Sequence, residues 1–342
     1  MKENKILIVG MSSGFCLETS YANAAVQLNL QVIRFNPANK ILKYIKLGKI
    51  GRALHDFITI EIWAKKMNRD LVIMVKEENP TVILLVGGSR IHYGTITTIK
   101  AISPTSKIVW VWPDTPLNLN TNNLSYGAIL DMSATYSKTT LDSFHSLGFK
   151  NPYWLPLAGD VHMHWCQIPT EDDFDCDISF VGMWRPERER IMKVIKENFG
   201  HLKIEIYGAY WKRDCKDEDL RKKWKGEGLY AKDLASYFNK SRINVNIIDD
   251  TNYPAANMRF FEIPTAGGLQ LCSKCPEFEN EFIDGEDIVF YKDEEDVIKQ
   301  INSILDDAQL AMKIRQSAQL KIKDKHNYKI RLQEILYFIN AR

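Results

Sequence analysis

The 342-residue sequence has little of what would commit it to a special environment. Its six cysteines, at 16, 166, 176, 215, 272 and 275, are scattered without a secretory framework. A disulfide-dense fold is thereby excluded and reduced thiols are expected. No stretch approaches 18 consecutive apolar residues, so no membrane-spanning helix is expected. The first apolar run, Ile6-Leu7-Ile8-Val9-Gly10, is too short for a signal-peptide core and reads as a strand, which points to a cytoplasmic chain. Charge of one sign is also lacking: 45 basic residues face 43 acidic ones, a net +2, which argues against a dedicated nucleic-acid binder. There is no low-complexity tract, no repeat beyond a weak similarity of the two halves, and no G-x-G-x-x-G fingerprint.

What is present is an ordinary globular composition, 45% hydrophobic and 26% charged, in a length that suits two domains. The near-zero charge hides an asymmetry. Residues 1–160 carry 17 basic and 11 acidic side chains, a balance of +6, and the remainder carries 28 and 32, a balance of −4. Such a split suggests different partners for the two halves.

Short apolar, β-rich runs recur at 6–9, 32–35, 82–86, 108–112 and 128–132, and again at 178–181, 204–207, 243–248, 269–272 and 288–291. Each closes on Gly, Pro or Asn and is followed by helix-like periodicity. Fully apolar strands alternating with helices predict parallel sheets covered on both faces. The expected fold is therefore α/β: two doubly wound, Rossmann-like domains. The expected boundaries are 1–158, 159–325 and a C-terminal helix over 326–342 that packs back on the first domain, with Tyr328, Leu332, Ile335, Leu336 and Ile339 on one face.

Three loops carry candidate chemistry. The first strand ends in Gly10-Met11-Ser12-Ser13-Gly14 before a helix-like segment, so Ser12, Ser13 and Gly14 could bring backbone N–H groups to a ligand, or form a plain βα turn. The second half opens with a strand ending at Gly182, then Arg185-Pro186-Glu187-Arg188. Pro186 suits a first helical turn, and two arginines there favour a phosphate over a solvated basic turn. The third, Asn257-Met258-Arg259-Phe260-Phe261-Glu262 up to Gly267-Gly268, puts a carboxylate on a helix before a glycine turn into a strand. Glu262 could accept two hydrogen bonds from a nucleotide ribose, with Asn257 and Arg259 one turn away, or pair with Arg259 as a structural ion pair.

The segments Phe180-Val181-Gly182, 257–268, and Pro276-Glu277-Phe278-Glu279 continuing through Phe282, Gly285 and Ile288-Val289-Phe290-Tyr291 resemble the spore-maturation (CgeB-type) glycosyltransferases. These are relatives of the large retaining family of GT-B nucleotide-sugar enzymes. The resemblance covers about 177–305, with fainter traces at Trp110-Val111-Trp112-Pro113-Asp114-Thr115-Pro116 and Trp154-Leu155-Pro156-Leu157-Ala158. It implies that the C-terminal domain binds a nucleoside diphosphate sugar through Gly182, Arg185, Arg188, Asn257, Arg259, Glu262, Gly267 and Gly268, and that the N-terminal domain takes the acceptor. Glu262 matches the second glutamate of that larger family's E-x7-E motif, the ribose holder. Pro254 stands where the first glutamate would, so the sugar contact comes from elsewhere, Asn257 or backbone groups.

The implied reaction is glycosyl transfer to an acceptor hydroxyl on a cell-surface polysaccharide, glycolipid or glycoprotein glycan, with retention and without a metal or other cofactor. Fixed cations would meet the charge developing on the leaving diphosphate. An inverting course would need a general base after a first-half strand, for which Asp114 and His92 are the candidates. A nucleotide-sugar epimerase or hydrolase and a non-catalytic sugar-nucleotide-binding module are the alternatives. Asp175-Cys176-Asp177 and Cys272-Ser273-Lys274-Cys275 resemble metal motifs but lack the surrounding ligands, and His162 to Cys166 reads as an ordinary loop. The basic, apolar segment with Lys40, Lys43, Lys46, Lys49 and Arg52 suggests contact with an anionic membrane on its inner face, or a solvated lid.

Overall fold

The computed structural model describes residues 4–41, 48–51, 60–88, 90–119, 121–170 and 173–341. They divide into two compact units: Met1–Pro156 with Lys329–Arg342, and Leu157–Tyr328.

In the first unit six strands form one parallel sheet: β1 (Lys5–Val9), β2 (Gln31–Phe35), β3 (Val82–Val86), β4 (Lys107–Trp112), β5 (Met132–Thr135) and β6 (Pro152–Trp154). Their order is β2-β1-β3-β4-β5-β6, with Ile6 opposite both Val32 and Val82. The strand order reverses at β1 and β3, and in open α/β sheets the crevice for a ligand lies outside the carboxyl ends at such a point. The β3 run Val-Ile-Leu-Leu-Val is buried throughout, because helices cover both faces of a parallel sheet. On the far side Trp110 stacks on Phe144 at 5.5 Å between ring centroids. The helix Tyr328–Asn340 closes this unit. Leu332, Ile335 and Ile339 are buried, Phe338 meets the Tyr153 ring, and Arg331 Nε donates to the Pro156 carbonyl at 3.0 Å.

The second unit repeats the plan with β7 (Cys176–Val181), β8 (Ile204–Tyr207), β9 (Trp224–Gly226), β10 (Ser241–Asn246), β11 (Gln270–Ser273) and β12 (Val289–Tyr291). The order is β12-β11-β10-β7-β8-β9, again all parallel, so the reversal falls at β7 and β10. The predicted two-sheet α/β architecture is the observed one. Several elements differ in detail. The strand expected at 128–132 is Met132–Thr135, and the short strands β6 and β9 had no apolar run to announce them. No helix among the described residues is long and apolar enough to cross a membrane.

Candidate functional site

The carboxyl ends of β7 and β10 gather the charged groups of the second unit. After β7, the backbone passes Gly182 and enters the helix Pro186–Phe199, with Pro186 in its first turn and Arg185 as N-cap. The turn is tight because a neighbouring loop presses on it. Gly208, at φ +154°, lies so near that a Cβ there would sit 1.8 Å from the Gly182 carbonyl oxygen. Trp211 Nε1 donates to that same oxygen at 2.8 Å.

Arg188, one turn into the helix, is 8% exposed. It donates to the Met183 carbonyl at 2.9 Å and to Asp249 Oδ2 at 2.6 Å. Asp249, just past β10, is itself buried. Its other oxygen accepts from the Thr251 hydroxyl at 2.6 Å and from the Asn252 amide at 2.9 Å. Burial alone would push the Asp249 carboxyl up; the hydrogen bonds from Thr251, the Arg188 charge, Asn252 and Arg185 outweigh it and hold the carboxyl below its ordinary value. Burial pulls the Arg188 guanidinium down, Asp249 opposes that, and the nearby Arg185 and Arg259 cations add to it. Arg185 Nε lies 3.5 Å from Asp249 Oδ2, and its side chain is 36% exposed. Among the described residues, Arg185 Nε and Arg188 Nε have no hydrogen-bond partner.

The helix Met258–Thr265 supplies the rest. Asn257 caps it, accepting from the Phe260 N–H at 3.1 Å, and exchanges amide hydrogen bonds with Asn246 at the end of β10. Asn246 also donates to Gln270 Oε1 at 3.1 Å. Arg259 Nε donates to the Val181 carbonyl at 3.1 Å, which ties this helix to the end of β7. Its NH1 pairs with Glu262 Oε2, three residues on along the same helix face. Glu262 is buried and Arg259 partly exposed. Three arginines thus stand with two carboxylates at one sheet edge.

The structure brings Gly182, Arg185, Arg188, Asn257, Arg259 and Glu262 to this edge. It does not bring Gly267 and Gly268 there. They form the turn between the far end of the helix Met258–Thr265 and the start of β11, the opposite edge of the parallel sheet. Gly267 has φ +72°, and a Cβ on Gly268 would press on the Asn244 amide at 2.9 Å. Their glycine character serves that turn. Arg315 clamps the same turn from within the core, donating to the carbonyls of Gly267, Ser241 and Arg242, each at 2.8 Å. Sequence reasoning passed over Asp249, Asn246, Gln270 and Arg315. The one available signal was Asp249-Asp250, a carboxylate pair at the end of an apolar run.

In the first unit Ser12 and Gly14 are exposed after β1, and the Ser13 hydroxyl oxygen is buried with no partner among the described residues. His92 caps the helix Tyr93–Ile102, and its backbone N–H donates to Asn68 Oδ1 at 2.9 Å. Asp114 is exposed after β4 and accepts from the Thr115 N–H and the Asn118 amide, both at 2.7 Å. Lys43, Lys46 and Arg52 lie outside the described residues, as does the side chain of Lys40; Lys49 is described and exposed. Asp177 accepts from the Lys203 N–H at 2.8 Å, and Asp175 pairs with Lys240. Cys272 and Cys275 are buried free thiols, and burial pushes Cys275 up to about 12. Among the described residues no cluster of His, Cys, Asp and Glu could hold a metal ion.

Two six-stranded parallel sheets of this kind are the architecture of the GT-B glycosyltransferases. Residues 185–337, which include Arg185, Arg188, Asp249, Arg259 and Glu262, match the family model described as glycosyl transferase-like. Residues 185–337 are thus similar to that family, and the chain as a whole has the GT-B fold. Among solved structures it is similar to a glycosyltransferase from Rickettsia africae, at 10% identity over 100% of this chain and 99% of that one, with a TM-score of 0.67. It is also similar to Alr3699/HepE of Anabaena in complex with UDP, at 12% identity over 99% and 100% of the two chains, with a TM-score of 0.61. A third is sucrose-phosphate synthase of Thermosynechococcus elongatus, at 12% identity over 99% of each chain, with a TM-score of 0.64. A search of the curated proteins finds no match to this sequence.

Proposed function

We propose that the chain transfers a glycosyl group from a nucleoside diphosphate sugar, with UDP as the first nucleotide to test, to an acceptor hydroxyl. The observation that carries this reading is the arginine set at the carboxyl ends of β7 and β10. Arg185, its side chain 36% exposed, caps a helix N-terminus beside Arg188 and Arg259. A leaving diphosphate develops negative charge, and fixed cations together with oriented N–H groups stabilise it without reorganising. Glu262 keeps Oε1 free of protein partners among the described residues, since Oε2 is taken by Arg259; that oxygen suits a ribose hydroxyl. Orienting the ribose in turn fixes the anomeric carbon.

The reading extends to a metal-independent, retaining reaction of the CgeB type, in which a donor phosphate oxygen takes the acceptor's proton. Asp114 and His92 serve as base only in an inverting course. The acceptor is a polysaccharide, glycolipid or glycoprotein glycan met in the cytoplasm, and the basic segment 40–52 supports contact with an anionic membrane face. The similar Anabaena protein was also solved with UDP-glucose, which supports the choice of nucleotide.

The test is a thermal-shift panel of nucleoside diphosphates and their sugars, with and without a chelator. Ligands that bind only the folded state raise its midpoint. UDP is expected to raise it equally in chelator. Glu262→Ala is expected to weaken UDP binding by about 1–3 kcal/mol, the size of lost charge-assisted hydrogen bonds. Unchanged UDP binding with lowered stability would leave Glu262 as a structural ion-pair partner only. Release of a free epimer without any acceptor would replace transfer by epimerisation.

A further inference from the structure

The carboxyl edge of the first sheet holds a cavity of about 520 Å³ at the reversal point between β1 and β3. Its walls are mostly carbon: Met11, Leu17, Pro37, Ala38, Val86 and Pro113, closed by backbone at Gly10, Gly87 and Gly88. One buried charge faces it. Glu18, in the first turn of the helix Leu17–Gln27, is 7% exposed and lines the cavity. Its Oε1 accepts the Met11 N–H at 2.7 Å. Its second oxygen has no partner among the described residues, although the side chain is more than nine-tenths buried.

The position of that carboxylate decides what the cavity can hold. A strand, a loop of small residues and a helix N-terminus ordinarily make an anion site, because free N–H groups point at the ligand. Here the protein's own carboxylate has taken one of those N–H groups. The arrangement is built in: a Cβ on Gly10 would lie 2.2 Å from Glu18 Oε1, so the glycine is what lets the side chain fold back. A phosphate entering would meet a like charge at short range. A hydroxyl would instead donate to the free oxygen in a charge-assisted bond. Two further polar side chains line the wall. Asn36 Oδ1 accepts from the Ala38 N–H at 2.9 Å, and Arg90, half-exposed at the wall, has Glu61 4.0 Å away.

We propose that this cavity binds an uncharged hydroxyl compound with an apolar body, and that the second carboxylate oxygen of Glu18 accepts its hydroxyl. The proposal rests on the transfer reading above only in identifying that compound with the acceptor. It makes Glu18 a specificity-determining residue that rejects phosphorylated compounds.

The test is calorimetric titration of the full chain with octyl glucoside and with octyl phosphate, each below its micelle-forming concentration. Octyl glucoside should bind saturably, and octyl phosphate at least tenfold more weakly. Glu18→Gln, which keeps an acceptor for the Met11 N–H but turns the second oxygen into an amide donor, should weaken octyl glucoside at least tenfold and strengthen octyl phosphate. An unchanged thermal midpoint shows that the variant is folded; where it is not, the contrast between the two probes on the native chain decides. Equal binding of the two probes, absence of saturable glucoside binding, or indifference of a folded Glu18→Gln variant overturns the proposal. Failure of UDP to bind would overturn the transfer reading and leave this titration intact.

Discussion

The two sheets end alike and are furnished with opposite charge. After β1, the chain turns at Gly10 and puts the carboxylate of Glu18 into the first turn of the next helix. After β7, it turns at Gly182 and puts Arg185 and Arg188 into the same place. The bulk charges run the other way, with an excess of bases in residues 1–160 and of acids beyond. Local sign at a sheet edge is therefore set by one or two buried side chains, since exposed charges are screened within about 10 Å at ordinary salt and buried ones much less. A basic half can hold a buried carboxylate at its sheet edge.

Two substitutions probe how firmly each charge is built in. The larger effect belongs to the second unit. Arg188→Ala removes the cation from Asp249 Oδ2 and leaves a buried carboxylate, so stability to urea should fall by about 3–5 kcal/mol. The double variant Arg188→Ala/Asp249→Ala should be less damaged than that sum implies, because no orphaned charge remains. In the first unit Gly10→Ala drives a methyl into Glu18 and should cost about 1–3 kcal/mol, as overpacking does. Adding Glu18→Ala should return most of it. If Gly10→Ala costs nothing, Glu18 swings freely, and the two edges differ in rigidity as well as in sign.

Much of this was legible in the sequence, and what was not has identifiable causes. The runs of β1, β3 and β4 announce themselves because a parallel sheet buried on both faces demands continuous apolar residues. β5 slipped from 128–132 to Met132–Thr135 because Ser133 and Thr135 are buried polar residues inside a sheet, where no apolar signal exists. Arg185, Arg188, Arg259 and Glu262 were visible as residue types at helix starts. Asp249, which anchors Arg185 and Arg188, was not, because it lies 61 residues from Arg188, and only the adjacency of β7 and β10 brings the two together. The family resemblance implied a donor role for Gly267 and Gly268, but glycine is equally required where a helix must reverse into a strand. Glu18 sits in a first helical turn and carries no sequence signal of its own. Its inward direction depends on a missing Cβ eight residues earlier, a tertiary fact with no periodicity.

The smallest expected effect concerns acid. Asp249 has a folded-state pKa below the ordinary carboxylate value, because its hydrogen bonds and the Arg188 and Arg185 cations outweigh its burial. Below the unfolded value of about 3.9 the unfolded chain binds the proton first, so stability rises with pH through this window. The contribution is complete above about pH 4 and is lost as pH falls through the lowered folded value. Asp249→Asn should therefore flatten the acid limb of a stability–pH curve, whatever it does to the plateau. The slope between about pH 4 and pH 2, measured by urea unfolding, is the readout. An acid limb as steep in Asp249→Asn as in the native chain would mean that the carboxylate is not held by its arginines. The opposition of sign between the two sheet edges would then be one of composition alone, with no buried pairing behind it.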